Sequence, residues 1–220
     1  FVYYRPKDIV SGDFYWVDQV DGRVAFAAVD CTGHGVPGAF MSLIGHNGLN
    51  QAIRERGAGR PSEVLKVLNK IAFEALHKDR EQFLVRDGMD MALCNYDPER
   101  RVLEYAGANS PLYVVRGGEV LRFQPDKRPI GSFDLEGQEF TDHRILLEQG
   151  DMVYIFSDGY ADQFGGPKGK KFLYKRFRDL LLEISRFPAE SQSGMLEEAF
   201  RGWRGIHEQV DDILVIGMRA

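Results

Sequence analysis

Four short acidic motifs carry the residue types from which hydrolytic chemistry could be built: Ser11-Gly12-Asp13, Asp30-Cys31-Thr32-Gly33, Ser157-Asp158-Gly159 and Val210-Asp211-Asp212-Ile213. A lone Asp beside Gly is ordinary turn chemistry, and an Asp after a strand often only caps a helix or makes an Asx-turn. The neighbours of these are more telling. Asp30 ends the apolar run Val24-Ala25-Phe26-Ala27-Ala28-Val29, Asp158 follows Val153-Tyr154-Ile155-Phe156 by one Ser, and Asp211 stands two residues before Ile213-Leu214-Val215-Ile216. Core strands thus deliver carboxylates at their ends, and rigid elements are good mountings for a site. Gathered by folding, such groups raise one another's pKa and oppose the fold unless a cation neutralises them. An all-oxygen set without paired His or Cys selects hard ions such as Mg2+ or Mn2+ over zinc. Two such ions ~3.5–4 Å apart lower the pKa of a shared water and bind phosphoryl oxygens, giving in-line attack on phosphorus with no covalent phosphoenzyme. Cys31 lacks the Arg six residues on that a phosphocysteine enzyme needs and reads as a small packed residue.

The elements that must hold these groups follow from periodicity and turn chemistry. Strands are predicted over 13–20 and 23–30 around an Asp21-Gly22 hairpin turn, and the Gly-rich loop Cys31-Thr32-Gly33-His34-Gly35 leads to Pro37 in a first-turn position. Phe40, Leu43, Ile44, Ala52 and Ile53, then Val64, Leu65, Leu68, Ile71, Ala72 and Leu76 after Pro61, form two apolar helical stripes. Strands return at 89–96, 102–106, 112–116 and 119–123. After a stretch with few regular signals, 124–140, they return again at 142–147 and 152–157. Helices are expected over 172–186 and 190–205, and a last strand over 213–218. Short connections favour antiparallel pairing. The fold class is α+β, antiparallel sheets stacked together with helices outside.

Composition bounds the rest. The 220 residues are 44% apolar and 28% charged, an ordinary globular balance that one domain, 1–220, can accommodate. With net charge −5 and no basic run longer than Lys170-Lys171, nucleic acid is not the expected partner. Two cysteines fit a reduced, cytoplasmic setting rather than a disulfide framework or a zinc site. The longest apolar run is far short of the roughly 20 residues a membrane helix needs. An opening Phe1 with no leader pattern reads as part of a longer protein. The basic segment 162–171 reads as a flexible, solvated surface loop.

The acidic motifs occur together with Phe14-Tyr15-Trp16 and Ala106-Gly107-Ala108-Asn109-Ser110-Pro111, and in this order they resemble the bacterial SpoIIE-type, PP2C-like metal-dependent serine/threonine protein phosphatases. The resemblance covers nearly the whole chain. It implies a β-sandwich of two antiparallel sheets flanked by helices, with two Mn2+ or Mg2+ ions at one end. It implies that Asp30 bridges both ions, that the Cys31 backbone carbonyl adds a ligand, that Asp158 and Asp211 hold the first ion, and that Asp13 is the first-motif acid. Asp211 is favoured over Asp212, which would then support the ligands. The implied catalytic residues are Asp30 and Asp158. The family's phosphate-binding Arg is not matched in spacing by Arg5 or Lys7, and its His after the bridging Asp is matched only by His34, four residues on. Asn109 could aim an amide at the site. The implied substrate is a phosphorylated STAS-type anti-sigma antagonist. The two first helices resemble a regulatory switch that supports dimerisation, so a homodimer is also implied. Two rivals stand beside this reading: a non-catalytic phosphoprotein-docking module of the same fold, and a two-metal phosphodiesterase acting on nucleotides.

Overall fold

The computed structural model describes residues 1–20, 22–56, 59–76, 87–131 and 139–220. One sheet has the order β1 (Val2–Arg5), β12 (Ile213–Arg219), β9 (Met152–Phe156), β6 (Leu112–Arg116), β7 (Glu119–Phe123). The other has the order β2 (Phe14–Val20), β3 (Arg23–Cys31), β4 (Met89–Asp97), β5 (Val102–Ala108), β8 (His143–Leu146). Every pairing within both sheets is antiparallel. Helices α1 (Gly35–Arg56) and α2 (Pro61–Leu76) cover the second sheet, while α4 (Leu173–Ile184) and α5 (Ala189–Arg204) cover the first. The expected sandwich flanked by helices is therefore what the chain forms.

Three cores explain the sequence pattern of the central strands. In β3, Phe26 and Ala28 point between the sheets with Val153, Ile155, Leu214 and Ile216, whereas Ala25, Ala27 and Val29 point under α1 and α2. In β9 the same alternation sends Val153 and Ile155 inward between the sheets and Met152, Tyr154 and Phe156 toward α4 and α5. A strand covered on both faces must be apolar throughout, which is why these runs show no polar alternation. Each large side chain so buried contributes roughly 1.5–3 kcal/mol.

Some elements fall outside the sequence expectation. The edge strand β1 carries only four residues, too few for a periodic signal. The segment 162–171, read as a flexible loop, instead starts at the last residue of the short helix α3 (Gly159–Asp162) and contains a hairpin of β10 (Phe164–Gly165) and β11 (Lys170–Lys171). Its turn uses Gly166 and Gly169, with φ of 67° and 56°. At the turn before β3, Gly22 takes φ 77°, while its neighbour Asp21, and residues 132–138 of the low-signal stretch, lie outside the described residues.

Candidate functional site

Strand pairing brings the sequence-distant carboxylates to one end of the sandwich. Phe14 stands opposite Val29, so Asp13, just before β2, and Asp30, near the end of β3, share that end of the second sheet. Antiparallel pairing of Phe156 with Val215 places the exit of β9 beside the entrance of β12, which sets Asp158 near Asp211 and Asp212. Alternation along β3 gives Asp30 the parity of Phe26 and Ala28, and along β12 gives Asp212 that of Leu214, so both face the seam between the sheets. The seam is closed there by the Asp158 backbone N–H, which donates to Asp30 Oδ2 at 3.3 Å.

The carboxylates differ in how they are paired. Asp212, 2% exposed, accepts the backbone N–H of Lys7 through Oδ1 at 2.7 Å and that of Gly12 through Oδ2 at 2.8 Å. Both its oxygens are engaged in fastening residues 7–12 to β12. Asp13 is 4% exposed and its Oδ2 has no hydrogen-bond partner. Burial first, then the charges of Asp212, Asp211 and Asp158, push its carboxyl up to about 8 against the pull of the Ser157 hydroxyl. Asp30 is raised well above the carboxylate range by burial, Asp13 and Asp158. Asp158 opens to solvent, yet the surrounding protein mass, Asp162 and Asp211 raise it to about 6, with Lys171 opposing. Like charges have thus been brought together with little cationic compensation, a costly arrangement for an unliganded protein.

Backbone close approach holds the loops around this cluster. A methyl group at Gly38 would come within 2.4 Å of the Gly33 carbonyl and 2.9 Å of the Gly12 Cα, so the first turn of α1, the loop after β3 and residues 11–13 meet where only glycine fits. The Cys31 carbonyl borders the same contact, since a methyl at Gly12 would stand 3.3 Å from it. The Cys31 thiol is buried and held well above its usual pKa by burial and by Asp30 and Asp13, so it stays protonated. Cys94 has Arg100 six residues on, but it is fully buried between the sheets, out of reach of a phosphoester.

The structure separates Arg5 from Lys7. The Arg5 guanidinium is engaged by Glu197 at 2.7 Å and Gln209 at 2.8 Å and sits over the Phe200 ring. Lys7 Nζ lies 3.0 Å from His34 Nε2, and His34 Nδ1 lies 2.8 Å from Asp8 Oδ2. With Lys7 donating, the ring is assigned the tautomer whose Nδ1–H donates to Asp8. Asp8 and His34 are exposed and Lys7 is half-buried, and all three lie beside the loops that carry Asp13 and Asp30.

Three residues at this end escaped the sequence reading. Asp90 stands opposite Asp30 across β3 and β4, and Asn109, in a left-handed turn with φ 59°, donates to it at 2.8 Å. The only cue was an acid opening an apolar strand. Gln163, fully buried, donates to the Phe164 and Glu208 carbonyls, both at 2.9 Å, and accepts from the Val210 N–H at 3.3 Å, tying α3 and the hairpin to the loop that bears Asp211. No sequence cue marked it. Tyr174, at the start of α4, feels Asp158, Asp162 and Asp30, and its hydroxyl is raised by burial and by those charges.

The donor chemistry fits a hard divalent cation: carboxylate oxygens, one of them buried and unpartnered, and a nearby backbone carbonyl. Among the described residues, no three His, Cys, Asp or Glu side chains are drawn close enough to form a ready-made ion cage.

Comparison with known proteins agrees with this architecture. The family model "Stage II sporulation protein E (SpoIIE)" matches residues 20–220. The phosphoserine phosphatase RsbU of Bacillus subtilis (strain 168) is 28% identical over 162 residues, which span 71% of this chain and 44% of RsbU, so the chain spans under half of that relative. The SiaA-PP2C domain of Pseudomonas aeruginosa superposes with a TM-score of 0.90 at 31% identity, covering 100% of this chain and 85% of that one. The PP2C phosphatase domain of SpoIIE from Bacillus subtilis superposes at 0.76 with 20% identity, covering 99% and 60%, and shares the fold. With the family model matching nearly the full length, the chain belongs to the SpoIIE family of PP2C-type serine/threonine phosphatase domains.

Proposed function

We propose that residues 1–220 form one catalytic domain of a longer signalling protein, which hydrolyses phosphoserine or phosphothreonine on a partner protein and depends on Mn2+ or Mg2+. The observation that carries this is the buried, unpartnered Asp13 Oδ2, set among Asp30, Asp158 and Asp211 from four separate segments. A pure docking module has no use for a cluster that repels itself, which weighs against the non-catalytic reading. Asp13, Asp30, Asp158, Asp211 and the Cys31 carbonyl would hold two divalent cations. Bound there, the ions would polarise the phosphoryl oxygens and acidify water for attack on phosphorus.

The chain's own residues then have separable tasks. Asp212 ties residues 7–12 to β12 and so fixes the approach of Asp13. Asn109 holds Asp90 beside Asp30. Because Arg5 is taken up by Glu197, Lys7 is the upstream base left to meet a phosphate, and Asp8 orients His34 next to it. The substrate is a phosphorylated STAS-type protein. That reading is supported by the likeness to RsbU, named a phosphoserine phosphatase, and to a Mycobacterium tuberculosis structure that holds RsbU and RsbW domains together. Among the described residues no helix is long and apolar enough to cross a membrane.

The test is turnover of p-nitrophenyl phosphate with added Mn2+, with EDTA, and with the Asp30→Ala and Asp158→Ala variants. Turnover that needs the metal and is lost in both folded variants is expected. Undiminished activity in EDTA, or wild-type rates in both variants, refutes the assignment.

A further inference from the structure

The surface beside Asp158 carries a charge opposite to that of the chain. Lys168, Lys170, Lys171, Lys175, Arg176 and Arg178 all fall within residues 164–178, which contain no Asp or Glu, in a protein of net charge −5. These residues form one built platform, the β10–β11 hairpin followed directly by α4. It is anchored from beneath: the Gly166 N–H donates to the Trp203 carbonyl at 2.7 Å, the Phe172 N–H donates to the Gln163 carbonyl at 2.9 Å, and Gly165 and Gly166 press on Trp203.

Half of these cations are engaged within the chain. Lys171 pairs with Asp162 at 2.7 Å, Arg178 pairs with Asp179 at 3.7 Å, and Arg176 lies over the Trp203 ring at 4.8 Å. Lys168, Lys170 and Lys175 are exposed and make no ion pair among the described residues. Interleaved with them are Phe164, Leu173 and Tyr174, 41%, 56% and 44% exposed. Leu173 also holds φ 72°, a left-handed conformation unfavourable for a branched side chain, and does so while facing water. Exposed apolar groups ringed by unpaired cations are the composition of a docking surface.

The position of the platform selects its occupant. Lys171 pairs with Asp162 at 2.7 Å, and the Asp162 N–H donates to the Asp158 carbonyl at 3.0 Å, so the platform borders the carboxylate mouth. A phosphate approaching that mouth is repelled by its acidic groups, and an adjoining basic surface offsets the repulsion while steering the incoming molecule. Resting on the phosphatase reading above, we infer that this platform docks an acidic face of the phosphoprotein, next to its phosphorylated residue.

The experiment uses the whole chain with Mn2+ and two dye-labelled phosphoserine peptides, one flanked by Asp and Glu, the other by Ser and Gly, read by fluorescence anisotropy. The acidic peptide should bind about tenfold more tightly at low salt, and the advantage should vanish at high salt. It should also vanish in a Lys168→Ser/Lys170→Ser/Lys175→Ser variant whose p-nitrophenyl phosphate turnover is unchanged. Should the triple variant fail to fold, Lys170→Glu alone makes the same test. Equal affinity for the two peptides, or a preference that survives the substitutions, overturns the inference. So does tighter, equally lysine-dependent binding to phosphatidylserine vesicles or to an oligonucleotide. If wild-type protein with Mn2+ fails to hydrolyse p-nitrophenyl phosphate, the phosphatase reading fails instead, and the peptide preference is still measured by binding.

Discussion

Replacing Asp13 by Asn should make the metal-free protein more stable. Asp13 is 4% exposed, its Oδ2 lacks a partner, and its carboxyl is held at about 8 against 3.8 unfolded. Because the folded state binds this proton more tightly, the stability it contributes is fully present below the unfolded pKa and declines as pH rises from about 4 to about 8. The loss approaches 1.4 kcal/mol per pH unit, so at most about 6 kcal/mol is given up by pH 8. Asp13 interacts with several other carboxylates, so the expected loss is smaller than this bound. Each kcal/mol regained raises Tm by roughly 2–4 °C in a chain of this size. Thermal denaturation followed by circular dichroism in EDTA at pH 8 should show the Asp13→Asn variant melting higher, with the gap closing toward pH 4. In Mn2+ the order should reverse, because the wild type gains the more from a cation. An Asp13→Asn variant no more stable than wild type at pH 8 in EDTA would refute the reasoning, since some group would then already compensate Asp13.

Two further substitutions separate the roles of neighbouring residues. Asp212→Ala leaves the Lys7 and Gly12 N–H groups without their charged acceptor and should cost about 2–4 kcal/mol in chemical denaturation; a loss below about 1 kcal/mol would show that these bonds do not hold residues 7–12 in place. Gln163→Glu keeps the side-chain size but sets a carboxylate against the Phe164 and Glu208 carbonyls, so the loop carrying Asp211 should shift and Mn2+ affinity, by calorimetry, should fall about 10–100-fold. Wild-type affinity in a folded Gln163→Glu protein would confine Gln163 to a purely structural role.

The runs 24–29 and 153–156 were legible because a strand buried on both faces needs an unbroken apolar stretch, and the carboxylate ending each run was visible with it. The stripes of α1 and α2 were legible for the same reason at helical period. Strand β1 was not, because four residues carry no periodicity, and the hairpin of β10 and β11 was not, because its regularity comes from contacts with Trp203 and Gln163 rather than from its own composition. Asp90 was missed because its significance lies across the ladder, opposite Asp30, where no spacing in the chain reveals it.

Residue order alone therefore determined which carboxylates are available, that they sit at the ends of core strands, and that they resemble one phosphatase family. Local pattern is enough for that, since burial and turn chemistry act over a few neighbouring residues. Tertiary structure alone decided the pairings: Asp212 bound to two backbone N–H groups, Arg5 drawn to Glu197 while Lys7 meets His34, and Asp13 buried with a free oxygen. Those outcomes depend on which side chains arrive at the same point from distant segments, and only the register of two stacked sheets sets that.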